Sequence, residues 1–166
     1  MISLKIEHTK EFMNKLLLQN SFDSFLVKEA VIATFTTLQI DGSRNLDFYS
    51  EEERELMKED CEYVRWAEIK PLCLQMIKGK KTPLHFKFVF KLSQKNVEKL
   101  LLQTGVSFTE KDVSGLYFHI RFEEGKITCI TGTALKLFTM DKSLDTAWDD
   151  MVKRLLQKLE LDYEEL

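Results

Sequence analysis

Leu84-His85-Phe86-Lys87-Phe88-Val89-Phe90-Lys91-Leu92 alternates at every step. In an extended chain Leu84, Phe86, Phe88, Phe90 and Leu92 share one side, and His85, Lys87, Val89 and Lys91 the other. A helix would scatter the phenylalanines around its axis, so the stretch predicts a strand with one apolar face turned to a core. A later segment repeats the rhythm, with Leu116, Phe118, Ile120 and Phe122 alternating with Tyr117, His119 and Arg121. Glu124-Gly125 then turns the chain into another strand over residues 126–138. Pairing Glu123 with Lys126 across that turn puts Cys129 opposite Ile120 on the core face and Tyr117 opposite Gly132.

Outward from these strands, other segments carry helical spacing. Phe12, Met13, Leu16 and Leu17 predict a helix over 9–19, and Ser93 caps one over 94–103 that Gly105 ends. Ser50 before Glu51-Glu52-Glu53 reads as the start of a short helix, its carboxylates set against the positive helix end. Pro71 and Gly79 frame a further helix over 71–78. A β-rich run over 29–40 ends at Asp41-Gly42, a hairpin signal, with a return strand over 45–49. Residues 62–69 read as one more strand. The tail Asp162-Tyr163-Glu164-Glu165 reads as a solvated, frayed terminus. After Ser143 the last helix carries a wide stripe of Leu144, Ala147, Trp148, Met151, Val152, Leu155, Leu156 and Leu159.

The sum predicts a single α+β domain over residues 1–166. About six mostly antiparallel strands form one curved sheet or a half-open barrel, and helices cover one face. The chain has 166 residues, 44% of them apolar and 31% charged, which is enough for a core without staples. Six glycines and two prolines exclude collagen-like and linker-rich classes. Net charge is −3, which disfavours a nucleic-acid partner. Phe86, Phe88 and Phe90 also point away from Lys87 and Lys91, so stacking rings and cations lie on opposite faces. An association through the lysines of 78–99 is a weaker reading for the same reasons. No apolar run approaches the ~18–20 residues that span a bilayer, so no membrane partner is expected. Three scattered cysteines, Cys61, Cys73 and Cys129, with no C-x-x-C pair and no signal peptide, read as reduced thiols in a cytoplasmic protein.

The sequence lacks G-x-S-x-G, G-x-x-x-x-G-K-[ST], G-x-G-x-x-G and H-E-x-x-H, so it implies no catalytic residue of the common classes, no cofactor and no metal. The candidate ligand-binding residues are His85, Lys87, Lys91, Tyr117, His119 and Arg121, all on polar strand faces. If their strands are neighbours, they cluster on one surface, with Lys78, Lys80 and Lys81 just upstream enlarging the positive field. Such a group suits a small anionic ligand, a phosphate or carboxylate. Ordinary alternation yields a solvated face of the same composition. His8, His85 and His119 lack metal-motif spacing. A buried Cys129 would be inert packing rather than a nucleophile.

Met1-Ile2-Ser3-Leu4-Lys5-Ile6 leading into Glu11-Phe12-Met13-Asn14-Lys15-Leu16-Leu17, then Phe22-Asp23-Ser24-Phe25, then Trp66 through Lys70-Pro71 to Lys78-Gly79-Lys80-Lys81-Thr82-Pro83, give the chain a family resemblance. In these stretches it resembles an uncharacterised family of small cytosolic proteins from anaerobic Gram-positive bacteria. That family is one of unknown function, so the resemblance carries over no activity, ligand or catalytic residue. Two functional expectations stand. The first is a non-enzymatic binding or interaction protein, a homodimer through the stripe of the C-terminal helix. The second is a small-ligand protein or enzyme acting on an anionic metabolite at the His/Lys/Arg face.

Overall fold

The computed structural model describes residues 1–57 and 62–166, so Cys61 lies outside the described residues. In chain order the described elements are β1 (Ser3–Ile6), α1 (Thr9–Leu17), β2 (Leu26–Ala33), β3 (Thr37–Asp41), α2 (Glu51–Leu56), α3 (Trp66–Ile77), β4 (His85–Lys91), α4 (Gln94–Thr104), β5 (Val113–Glu123), β6 (Lys126–Leu135), α5 (Ser143–Lys158) and β7 (Tyr163–Glu165). The strands make one antiparallel sheet in the order β3-β2-β4-β5-β6-β1-β7, open at β3 and β7. The protein is α+β, with a curved open sheet rather than a closed barrel.

The alternation of β4 and β5 is what builds the core. Phe86, Phe88, Phe90, Phe118, Ile120 and Phe122 are all buried on one face, where α1, α3, α4 and α5 pack. Phe86 stacks on Phe122 with ring centroids 4.9 Å apart. Trp66 at the head of α3 lies 4.9 Å from Phe88 and 5.1 Å from Phe90. Burying each such ring contributes about 1.5–3 kcal/mol. The hairpin register is the expected one: Glu123 faces Lys126, Ile120 faces Cys129 and Tyr117 faces Gly132. Ser93 caps α4 and Gly105 ends it at φ 63°, a left-handed turn that favours glycine.

Several elements depart from the sequence expectation, β1 among them, since no strand was expected over residues 3–6. The β-rich run over 29–40 is two strands, not one, because the chain reverses at Thr34-Phe35-Thr36, where the Thr34 N–H donates to the Thr36 carbonyl. Asp41-Gly42 therefore serves a different purpose. Asp41 accepts from the Ser43 N–H at 2.9 Å, and a Cβ on Gly42 would sit 1.6 Å from the Val27 carbonyl oxygen. Glycine is there for close backbone approach. The expected return strand over 45–49 is a 3-10 turn at Leu46–Phe48.

Residues 62–69 are not a strand. They make isolated bridges at Tyr63 and Arg65 and then enter α3, which runs straight through Pro71. The start of α3 is fixed by tertiary bonds that no periodicity records. The Trp66 and Ala67 N–H groups donate to Phe25 and Asp23 carbonyls, and Glu68 accepts from the Arg65 N–H at 2.7 Å. Arg44 grips the same Glu68 carboxylate with two nitrogens, at 3.0 and 2.8 Å.

The tail is ordered as β7, paired with β1, a strand too short for its period to be read. Finally, the stripe of α5 is spent inside the molecule. Leu144, Ala147, Trp148, Val152 and Leu156 are buried, and Met151, Leu155 and Leu159 are half-buried against the core. Trp148 also donates its ring N–H to the Tyr117 carbonyl at 2.9 Å, while Thr131 and Thr133 of β6 donate to Asp149 and Asp145. The breadth of the stripe matches its packing on β6 and α4.

Candidate anion-binding site

Among the described residues no helix packs on the face opposite the phenylalanines, and the six candidate residues all lie on that face. Strand pairing stacks them in rows. His85 faces Glu123, Lys87 faces Arg121, Val89 faces His119 and Lys91 faces Tyr117. The neighbouring strand continues the rows, so Arg121 faces Thr128, and Thr128 in turn faces Lys5 on β1.

One row thus holds three cations. Lys87 is neutralised by Glu29 at 3.2 Å and Lys5 by Glu164 at 3.2 Å. Arg121, between them, has no ion pair among the described residues. Like charges directly opposite on a sheet destabilise it. An exposed guanidinium with neutralised neighbours offers a planar fork of donors that fits a carboxylate or phosphate.

His119, half-buried, has its imidazole held below the usual histidine range. Burial is the larger cause, and repulsion from Arg121, Lys87 and Lys28 adds to it. It is therefore neutral at neutral pH. Tyr117 has its phenol pushed up by burial and by Glu62. Its ring folds over Gly115 rather than over Gly132: a Cβ on Gly115 would lie 2.7 Å from that ring, whereas one on Gly132 would meet only ordinary contacts.

The histidines do not converge. His85 faces Glu123 and His119 faces Val89, so four residues of β5 separate their rows, roughly 13 Å along the strand. They share a face but cannot share one small ligand or metal. Among the described residues no cluster of His, Cys, Asp and Glu is placed to hold a metal ion. Two shallow clefts meet at Arg121. One of about 580 Å³ includes His85, Glu123, Lys126 and Thr128, and one of about 170 Å³ includes Val31, His85, Lys87 and Glu123.

Two members of this face were not legible in the sequence. Lys28 sits in the bulge of β2 between Val27 and Glu29, which brings its ammonium 5.0 Å over the Tyr117 ring. Tyr63 arrives through the bridge with Ser43 and lies under Lys91, 5.2 Å away. A bulge and an isolated bridge leave no mark in an alternating pattern. Both tyrosines carry a lysine on the ring, a cation–π pairing. Beside them a cleft of about 640 Å³ opens among Lys28, Gln39, Asp41, Ser43 and Tyr63.

The described cysteines offer no nucleophile. Cys129 is fully buried opposite Ile120, and burial drives its thiol strongly upward; Cys73 is pushed up to about 12 for the same reason. Both stay protonated and pack as small apolar groups. No helix among the described residues is long and apolar enough to cross a membrane.

Fold and face together define an α+β protein with one open antiparallel sheet, helices on its apolar side and, among the described residues, no helix on its cation-bearing side. The chain belongs to a family of unknown function, DUF5721, whose model matches residues 15–164. No curated protein and no solved structure matches it.

Proposed function

We propose that this chain is a non-enzymatic binding protein of the cytoplasm, and that its bare sheet face takes a small anion, a carboxylate or phosphate, at Arg121. The observation that carries the reading is the cation row, in which Lys87 and Lys5 are neutralised by carboxylates while Arg121 between them is not. An anion on Arg121 would relieve its repulsion with Lys87 and find the Thr128 hydroxyl and His85 nearby. Protonated, buried thiols at Cys73 and Cys129 suit a reducing compartment. A second reading, an enzyme acting on an anionic metabolite, draws on His119. Its neutral imidazole stands two residues from Arg121 on the same face of β5, and could move a proton on a ligand held there.

Thermal unfolding of the full chain with inorganic phosphate and with a small dicarboxylate tests the proposal. A bound anion at 100 times its Kd adds about 2.7 kcal/mol. That gain should vanish in Arg121→Ala. The reading fails if neither anion stabilises the chain, or if Arg121→Ala responds as the wild type does.

A further inference from the structure

A sheet that does not close has two open edges, and the two edges of this one are built differently. The β7 edge is three residues long, and two of them, Glu164 and Glu165, are charged and tied to Lys5 and Lys153. Shortness and charge are the usual guards against pairing with another chain. The β3 edge, Thr37-Leu38-Gln39-Ile40-Asp41, has no such guard along its length. It carries no proline, no lysine and no bulge, and its one charge, Asp41, stands at the end, turned onto the Ser43 N–H.

The pairing of β3 with β2 shows which backbone groups face outward. The Gly42 N–H donates to the Lys28 carbonyl, and the Thr34 N–H to the Thr36 carbonyl. Antiparallel bonds alternate along a strand, so with Ile40 opposite Ala30 and Leu38 opposite Ile32 the inward-bonding residues are Leu38 and Ile40. Thr37, Gln39 and Asp41 therefore turn both N–H and C=O away from β2, to an edge that no strand among the described residues occupies. All three are exposed. Leu38 and Ile40 project to the apolar side, since Ile32 and Ala30 opposite them belong to the core, yet both are only half-buried.

We infer that β3 pairs antiparallel with β3 of a second copy, about a two-fold axis through Gln39. The strand is self-complementary in that register. Gln39 faces its own counterpart and Thr37 of each copy faces Asp41 of the other, so no like charges are opposed. Each pair exchanges two backbone hydrogen bonds, which uses all the outward N–H and C=O groups. The axis stands perpendicular to the sheet, so the apolar faces stay on one side and Leu38 of each copy comes beside Ile40 of the other. The turn that carries Phe35, 94% exposed, is brought to the Ser43 end of the second strand. A foreign strand satisfies the same backbone groups; the matched side chains are what single out a second copy. The contact is isologous and closes at two. It involves neither the α5 stripe nor Arg121, so it stands apart from the anion-binding proposal.

Sedimentation of the full chain across micromolar concentrations tests this, and a reversible dimer is expected. Gln39→Pro removes an outward N–H, and Gln39→Lys sets two cations face to face at the axis. Each should weaken the dimer at least about tenfold, as a lost bond or a like charge at the centre of an interface does. An equimolar mixture of Gln39→Lys and Gln39→Glu should recover the dimer that neither forms alone. Gln39 is exposed, so the lysine and glutamate variants keep the fold, which circular dichroism checks. A monomeric wild type overturns the inference, including one whose edge takes up a synthetic peptide of residues 36–42, which would assign the edge to a foreign strand. So does a dimer that persists in Gln39→Lys, or a mixture that stays monomeric.

Discussion

Lys87 and Arg121 stand directly opposite each other across β4 and β5, two cations in register on the face opposite the phenylalanine core. Glu29 reaches the lysine at 3.2 Å, and no carboxylate forms an ion pair with the arginine among the described residues. Like charges directly opposite each other on a sheet cost the fold stability unless a counter-charge neutralises them. Replacing Arg121 with Ala is therefore expected to leave the free protein as stable as the wild type or more stable by about 0.2–1 kcal/mol. Urea unfolding without added anion measures this. A loss above about 1 kcal/mol would mean that Arg121 serves the fold instead.

His119 gives the face a pH signature. Its folded imidazole titrates below the value of about 6.5 that it has in the unfolded chain. The unfolded state therefore binds the proton more readily. The contribution of His119 to stability is fully present above about pH 6.5 and is lost as the pH falls from there through the folded value. NMR titration should place the His119 midpoint below 6.5, and Arg121→Ala should raise it by removing a repelling neighbour. A midpoint that ignores Arg121→Ala would show that the guanidinium points elsewhere.

Gly42 and Gly115 both exclude a Cβ, against different obstacles. At Gly42 the obstacle is backbone, the Val27 carbonyl at 1.6 Å, in a segment bonded to Lys28 and Val64. Gly42→Ala is expected to cost more than about 3 kcal/mol, since backbone must move. At Gly115 it is the far end of the Tyr117 ring, which can swing away. Gly115→Ala should cost less than Gly42→Ala while breaking the Lys28–Tyr117 contact. Denaturation midpoints of the two variants check the order.

Trp66 joins two helices by one bond. Its ring N–H donates to the Leu16 carbonyl at 2.9 Å, in the last turn of α1, where a helix has no internal donor left. Trp66→Phe keeps most of the packing against Phe88 and Phe90 but strands that buried carbonyl. We expect a loss of about 1–3 kcal/mol in chemical denaturation.

The strands that carry the face could be read without coordinates because their two-residue period is a local property of the chain. Phe86, Phe88 and Phe90 can be buried together only in an extended segment, and His85, Lys87 and Lys91 must then emerge on the other side. The turn at Glu124-Gly125 fixed the register of β5 on β6 by the same local logic, down to Cys129 opposite Ile120. The sequence thus determined the α+β class, the central strands and which six polar residues share one sheet face.

Tertiary structure alone decided the rest, wherever a residue's state depends on a distant partner. Residues 62–69 have strand-like composition, yet Phe25 and Asp23 supply the acceptors that start a helix at Trp66. The tail is polar, yet β1 gives its backbone a ladder to join. How much of the α5 stripe packs on the chain's own core also depends on the breadth of the surface that β6 and α4 present to it. The spacing of His85 and His119, and the presence of Lys28 and Tyr63 beside Tyr117, follow from strand pairing, a bulge and a bridge. These are non-local contacts, and they fix which side chains meet without leaving a period in the chain.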